Sequence, residues 1–428
     1  MKKNGFTLVE LLSIVVILGI IVVVALPQIS GSIGSKKEKQ YNKIVKIVEN
    51  AGKVYLTENG TMDSVSIDKL IKSDYLTSGL KNPINNTPLT GCVKKIISDG
   101  VTKYKYEVDN CPNYLATHIM DLYDNEETRI ENGLKKDNTS DENIRYYGAN
   151  PNNYVSFNNE LWRIIGVFGN NVKLVRSETL GKLSWDSSES SVNNGWGVNE
   201  WSQADLKNYL NTMYYGGTTV TCYSSYDNQT TTCPTNRLDN TAKSLIDNHT
   251  WNTGAPNDSK LYDSTPGLYD TVPFYKAERG NETGKICNGR DYCNDTVTRK
   301  TEWTGYIGLP YVTDWAYASG ENICETNMNK GYFVGASSPD EAFANAVCKN
   351  NNWMNYGSTY NDTTWFMSPR AYHDSASHVW FVYGAGAAEY DRAACSSAVV
   401  PSIYLKTNVL IESGTGTNTD PYTLKLSN

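Results

Sequence analysis

Phe6-Thr7-Leu8-Val9-Glu10-Leu11-Leu12 opens the stretch on which the fold turns. The apolar run continues through Ser13-Ile14-Val15-Val16-Ile17-Leu18-Gly19-Ile20-Ile21-Val22-Val23-Val24-Ala25-Leu26 and stops at Pro27. The 21 residues 6–26 hold one charge, Glu10. As a helix rising ~1.5 Å per residue the run spans about 31 Å, close to the hydrocarbon thickness of a bilayer. Lys2 and Lys3 precede it, which predicts a start held in the cytoplasm and a remainder, with the C-terminus, outside. An ordinary signal peptide has a shorter apolar core and a small-residue cleavage site after it; here the small residue, Gly5, stands in front. Glu10 is the anomaly, because an ionised carboxylate one turn inside lipid costs several kcal/mol unless a partner meets it. A cut after Gly5 would free the amine of Phe6 one helical turn away, and a neighbouring copy could bring its own amine to Glu10. Such a pair works best as a register pin between subunits.

Lys3-Asn4-Gly5-Phe6-Thr7-Leu8-Val9-Glu10-Leu11-Leu12, followed by an apolar helix, resembles the N-terminus of type IV pilins and type II secretion pseudopilins. The resemblance implies that Gly5 ends a leader (1–5) cut by prepilin peptidase and that Phe6 becomes the N-methylated first residue. It also implies that Glu10 is the assembly glutamate, through which the helix packs on other pilin subunits, and that Pro27 matches the family's kink. The specific likeness covers about the first 30 residues, with a weaker one to about residue 111.

Past Pro27, apolar positions at Ile33, Tyr41, Ile44, Val45, Val48, Ala51, Tyr55 and Leu56 recur in steps of three and four, while lysines fall mostly on the other side. One amphipathic helix is therefore expected to run on to about residue 58 and stop at Asn59-Gly60. Gly31 and Gly34 weaken it locally. Ser66 reads as the cap of a short helix with Asp68 in its first turn. Two runs, 92–97 and 101–108, flank Asp99-Gly100, a two-residue hairpin signal. That turn would set Cys92 opposite Glu107, so a Cys92–Cys111 bond needs the chain to curl back after Val108. A long membrane-spanning helix packed on a small antiparallel sheet predicts an α+β pilin-like domain over 6–111.

Residues 112–145 begin apolar and end in Lys135-Lys136-Asp137-Asn138-Thr139-Ser140-Asp141-Glu142-Asn143, a linker composition. A helix and linker are expected there, followed by a larger irregular α+β module over 146–428. Three short strands are predicted over 154–176, a helix from Trp201 to Asn211 capped by Ser202, another over 339–347, and strands near 364–366, 379–382 and 399–405. Within this half, Asn153-Tyr154-Val155, Trp162-Arg163-Ile164-Ile165-Gly166, the run from Trp303 to Asp314 and Val400-Pro401-Ser402-Ile403-Tyr404-Leu405 resemble an uncharacterised module of bacterial surface proteins. That module is similar to the C-type-lectin-like and formylglycine-generating-enzyme-like folds, which implies a fold and a location but no activity.

A net charge of -7 gives no broad basic surface, so nucleic acid is not an expected partner. Lys94, Lys95, Lys103 and Lys105 on the hairpin are the cluster a DNA-uptake reading would need. Nine cysteines, none in the apolar run, suggest an oxidising compartment. Their order suggests local pairs, Cys92 with Cys111, Cys222 with Cys233, Cys287 with Cys293 and Cys324 with Cys348, leaving Cys395; spacing alone does not fix connectivity. His373 and His378 read as solvated loop residues, and Cys395 with either is a weak nucleophile reading. Asp137–Asn143 and Asn361-Asp362 read as solvated loops rather than calcium sites. No motif for a cofactor or catalytic metal is present, so no enzyme is expected. Tyr 30 and Trp 10 against Phe 8 favour aromatics with a polar handle, and Trp196, Trp201, Trp303, Tyr311, Trp315, Trp353, Trp365 and Trp380 divide between sugar-stacking platforms and core. The expected protein is a minor pilin or pseudopilin in the cytoplasmic membrane, then in a surface filament, displaying an adhesion module for a glycan or other surface ligand. The competing expectation is a membrane-tethered extracellular enzyme.

Overall fold

A computed structural model describes residues 33–59, 62–98, 100–109, 111–256, 270–280, 300–326, 328, 348–357, 362–371, 376–384 and 386–427. The leader, the apolar run with Gly5, Phe6, Glu10 and Pro27, the cysteines 287 and 293, His373, Asn361 and the helix expected over 339–347 lie outside the described residues. Among the described residues no helix is long and apolar enough to cross a membrane. The chain is α+β with several sheets, and it divides into two compact units, Met1–Asn113 and Tyr114–Asn428.

In the first unit the helix Ile33–Glu58 buries Ile44, Val48, Ala51, Tyr55 and Leu56, the stripe its three-and-four spacing dictates. That stripe packs on Val65, Val93 and Tyr106 of an antiparallel sheet ordered Ser64–Ser66, Cys92–Ser98, Val101–Glu107. Contact is closest at Gly52, where a Cβ would fall 2.4 Å from the Cβ of Val93. Cys92 lies opposite Glu107 and Ser98 opposite Val101, the register of a two-residue turn. The chain curls back after it, and Cys92 is bonded to Cys111. Ser66 caps the helix Ile67–Lys72, its Oγ accepting from the Lys69 N–H at 3.1 Å.

The second unit is built on a nine-stranded sheet. Its central path runs Ile307–Gly308, Ser402–Tyr404, Asn171–Arg176, Glu160–Phe168, Tyr154–Phe157, Tyr422–Leu426, Val409–Ser413. Asn158 and Asn159 both take positive φ, 58° and 57°, which makes the tight turn between Phe157 and Glu160. A five-stranded sheet, ordered Ala387–Arg392, His378–Tyr383, Thr363–Pro369, Ser396–Ala398, Lys182–Ser184, completes the layers. Seven of the ten tryptophans, at 162, 185, 201, 251, 315, 365 and 380, are under 2% exposed. Most of the tryptophans are therefore the core of a leucine-poor domain. Cys222 is bonded to Cys233 and Cys324 to Cys348.

Two expectations need correcting here. The stretch 135–143 is no linker: Leu134–Lys136 and Ile144–Tyr146 pair with each other, Ile144–Tyr146 also pairs with Glu160–Phe168, and Asp137, Thr139 and Asn143 between them are buried. Polar composition signals a solvated loop only when the side chains lack internal partners, and these have them. The expected helix from Trp201 begins instead at Asp205 and passes at Tyr209–Tyr215 into a π-helical turn. Its first N–H groups are satisfied from elsewhere in the chain, Asp205 N–H by the Asp186 carboxylate and Leu206 N–H by the Trp185 carbonyl, so Ser202 does not cap it.

Candidate functional site

Two polar groupings in the second unit merit chemical scrutiny. One is enclosed. Glycine at 166 lets the strand Ile144–Tyr146 approach so closely that a Cβ would lie 2.2 Å from the Ile144 carbonyl oxygen. Arg145, opposite Gly166, is 1% exposed. Its Nε donates to Asp137 Oδ2 and its Nη1 to Asp314 Oδ1, each at 2.7 Å; Lys173 Nζ donates to Asp314 Oδ2 at 2.6 Å. The Asp137 carboxylate also accepts from Thr139 Oγ1 at 2.7 Å and Asn143 Nδ2 at 3.0 Å. Burial alone would raise the Asp314 carboxyl, but Lys173 and Arg145 outweigh it and hold it below the usual range. Burial draws the Lys173 ammonium down to about 8 against the pull of Asp314.

Next to it, Glu278 is fully buried, accepting from Thr313 Oγ1 at 2.6 Å and Ser368 Oγ at 2.9 Å; burial pushes its carboxyl up to about 7. Arg145, Lys173, Asp137 and Asp314 balance in charge and are hydrogen-bonded to one another. A balanced, enclosed network of this kind fixes strand and helix register more readily than it performs chemistry.

The other grouping is an open cleft of about 660 Å³ beside two interior strands of the main sheet, Tyr154–Phe157 and Glu160–Phe168. Tyr154 and Arg163 come from adjacent strands, Ser177–Thr179 from the loop after Arg176, Trp353, Asn355 and Tyr356 from the segment 351–357, and Asn418 from the last hairpin. Arg163 is clamped between rings, its guanidinium 4.0 Å from the Tyr154 centroid and 4.8 Å from that of Trp353. Nε donates to Asn153 Oδ1 at 2.6 Å and Nη2 to the Pro151 carbonyl at 3.3 Å. The side-chain amide nitrogen of Asn355 donates to the carbonyls of Gly357 and Gly384, which turns its Oδ1 away without a partner among the described residues. Ser177 Oγ is likewise buried without a partner among the described residues. Aromatic walls with a few oriented polar groups are what small-molecule and saccharide sites have in common.

The residues singled out in the sequence are dispersed. Trp353 lines the cleft, Tyr311 packs beside Lys173, and Trp201, Trp315, Trp365 and Trp380 are buried. Asp137 is buried under Arg145, not a solvated or cation-binding loop residue. His378 begins a strand, and burial, with Arg370 and Arg392 near, takes it down to about 4, so it is not a solvated loop histidine. Burial pushes the Cys395 thiol up to about 11, leaving it protonated at neutral pH and a poor nucleophile. On the hairpin, Lys94 and Lys105 pair with Glu107 and Lys95 with Asp63, so of the four lysines Lys103 alone makes no ion pair among the described residues. Ser177 and Asn355 carried no sequence signal. Arg163 and Lys173 carried one, a charge placed inside an otherwise apolar strand.

Comparison with known proteins adds information at the other end of the chain. Residues 1–26 match the model of the prokaryotic N-terminal methylation motif. The chain carries the type IV pilin and pseudopilin signal. No curated protein and no solved structure matches it. The signal implies processing by prepilin peptidase, membrane anchoring, and assembly with other pilins in a surface filament.

Proposed function

We propose that the protein is a minor pilin or pseudopilin whose second unit is a binding module shown to the exterior. The leader is cut after Gly5, Phe6 is N-methylated, and residues 6–26 span the membrane once with the C-terminus outside. Glu10 pairs with the amine of a neighbouring subunit, and Pro27 lets the helix bend as it docks. The observation that carries this reading is the methylation motif at 1–26 standing ahead of a unit that runs Tyr114–Asn428. Bulk of that size on every subunit would crowd a repeating shaft, which favours a tip or low-abundance position. Binding rather than catalysis is favoured by the protonated Cys395 thiol and the charge-balanced interior. The pairing of Lys94, Lys95 and Lys105 weighs against a DNA-uptake role.

Mass spectrometry of filament-associated protein is expected to find an N-methylated Phe6 at its start. Glu10→Val is expected to leave the protein in the membrane and cut its recovery in sheared filaments at least tenfold. Retention of Met1, or normal assembly of the variant, would defeat the proposal. Even labelling along the filament would defeat the tip assignment.

A further inference from the structure

Arg163 is 8% exposed and has no carboxylate partner; its hydrogen bonds go to a side-chain amide and a backbone carbonyl, and its Nη1 makes none among the described residues. Other deeply buried cations of this unit, Arg145 and Lys173, are matched to carboxylates at 2.6 to 2.7 Å. Burial takes the Arg163 guanidinium down to about 10, the direction expected when ring faces replace water and no anion replaces the lost hydration. Among the described residues the one carboxylate on the cleft rim, Glu178, is exposed and makes no ion pair with it. Ser177 and Asn355 both line the cleft, and Ser177 Oγ and Asn355 Oδ1 are buried without partners among the described residues, a costly state for polar atoms unless a ligand completes them.

We infer that this cleft binds a carboxylate-bearing saccharide, the carboxylate taken by Arg163, ring hydroxyls by Ser177 and Asn355, and an aliphatic sugar face by Trp353 or Tyr356. This deepens the binding-module reading and rests on it. Guanidinium–carboxylate recognition is directional and charge-assisted. An acceptor-only oxygen at Asn355 needs a donor and a free hydroxyl at Ser177 takes either role, which matches sugar hydroxyls. A protein partner would have to supply a donor and a carboxylate at the same spacing with no sheet edge to guide it.

The full-length protein in detergent is titrated with oligogalacturonates and sialyllactose, with their carboxyl-reduced or neutral counterparts, and with an acidic peptide. At least one acidic sugar is expected to bind ten times or more tighter than its neutral counterpart, the two acidic sugars showing which source is used. Ser177→Ala removes no existing hydrogen bond, so it should leave the unfolding temperature unchanged and weaken binding severalfold. Ser177→Asp offers Arg163 an internal carboxylate and should abolish acidic-sugar binding while the fold persists. Equal binding of neutral and acidic sugars, binding of the acidic peptide alone, or undiminished acidic-sugar binding by Ser177→Asp would overturn the inference. Adhesion separates the two: if filaments with and without residues 114–428 adhere equally to host or abiotic surfaces, the binding module itself fails; if adhesion depends on 114–428 but survives Ser177→Asp, only the acidic-sugar assignment fails.

Discussion

Among single residues, Glu278 makes the sharpest physical demand. Its carboxyl is fully buried, receives hydrogen bonds from Thr313 and Ser368, and has Arg279 no nearer than 4.0 Å and Asp314 as a repelling neighbour. Its folded value, about 7, lies above its unfolded one, so the stabilisation is complete below the unfolded value and is lost as pH rises from about 4.5 through 7. Glu278→Gln keeps the acceptor and cannot ionise. Relative to the parent it should therefore gain about 2 to 3 kcal/mol between pH 5 and pH 8, the gap between about 4.5 and about 7 at ~1.36 kcal/mol per pH unit, less the part already lost at pH 5. Urea unfolding at the two pH values measures this; a pH-independent difference would show that Glu278 ionises in the fold as readily as outside it. His378 has the opposite sign, since its folded value lies near 4, and its contribution fades as pH falls below about 6.5. The variant comparison is therefore more telling than the parent curve alone. None of this was legible in the sequence, where Glu278 is one acid beside Arg279. Its burial is decided by Thr313 and Ser368, distant in the chain.

At the scale of elements, legibility follows the range of the forces. The helix Ile33–Glu58, the cap at Ser66 and the register of the 92–107 hairpin follow from spacing and turn chemistry within a dozen residues, and each could be drawn from the chain alone. The strand pair at 134–146 and the start of the helix at Asp205 depend on partners far away, Glu160–Phe168 for one and Asp186 for the other. Local composition therefore misassigned both. Val172-Lys173-Leu174-Val175-Arg176 is the same lesson in miniature. Its pattern flags Lys173 as a charge within an apolar strand but not its partners: it is 0% exposed because Asp314 and the ring of Tyr311 meet it. Gly52 offers a test of element packing. Ordinarily a mid-helix glycine is improved by replacement, by up to about 1 kcal/mol. Here a side chain meets Val93 at 2.4 Å, so Gly52→Leu is expected to destabilise the first unit by about 2 kcal/mol. Amide exchange over residues 44–56 should then quicken about thirtyfold; slower exchange would mean that the helix does not sit on Val93.

For the whole molecule the decisive division is between two self-contained cores. The buried apolar residues of the first unit, from Ile44 to Tyr106, form a cluster that shares no member with the cluster running from Leu115 to Tyr422. The described disulfides respect the same boundary, Cys92–Cys111 on one side, Cys222–Cys233 and Cys324–Cys348 on the other. A unit that buries seven tryptophans and pairs Arg145 and Lys173 with Asp137 and Asp314 inside itself carries its own reason to fold. Residues 114–428, exported without the membrane segment, should thus give a soluble monomer with one cooperative unfolding transition. The bridges close short loops, 11 and 24 residues apart, so each contributes about 3 kcal/mol through the unfolded state. Reduction should lower the transition without erasing cooperativity, because the tryptophan core is untouched. Calorimetry of the fragment with and without reductant decides the matter. A fragment that has formed both bridges yet melts without a heat-absorption peak would mean that the second unit depends on residues 1–113, and a display module that cannot stand apart from its filament anchor would be a different kind of protein.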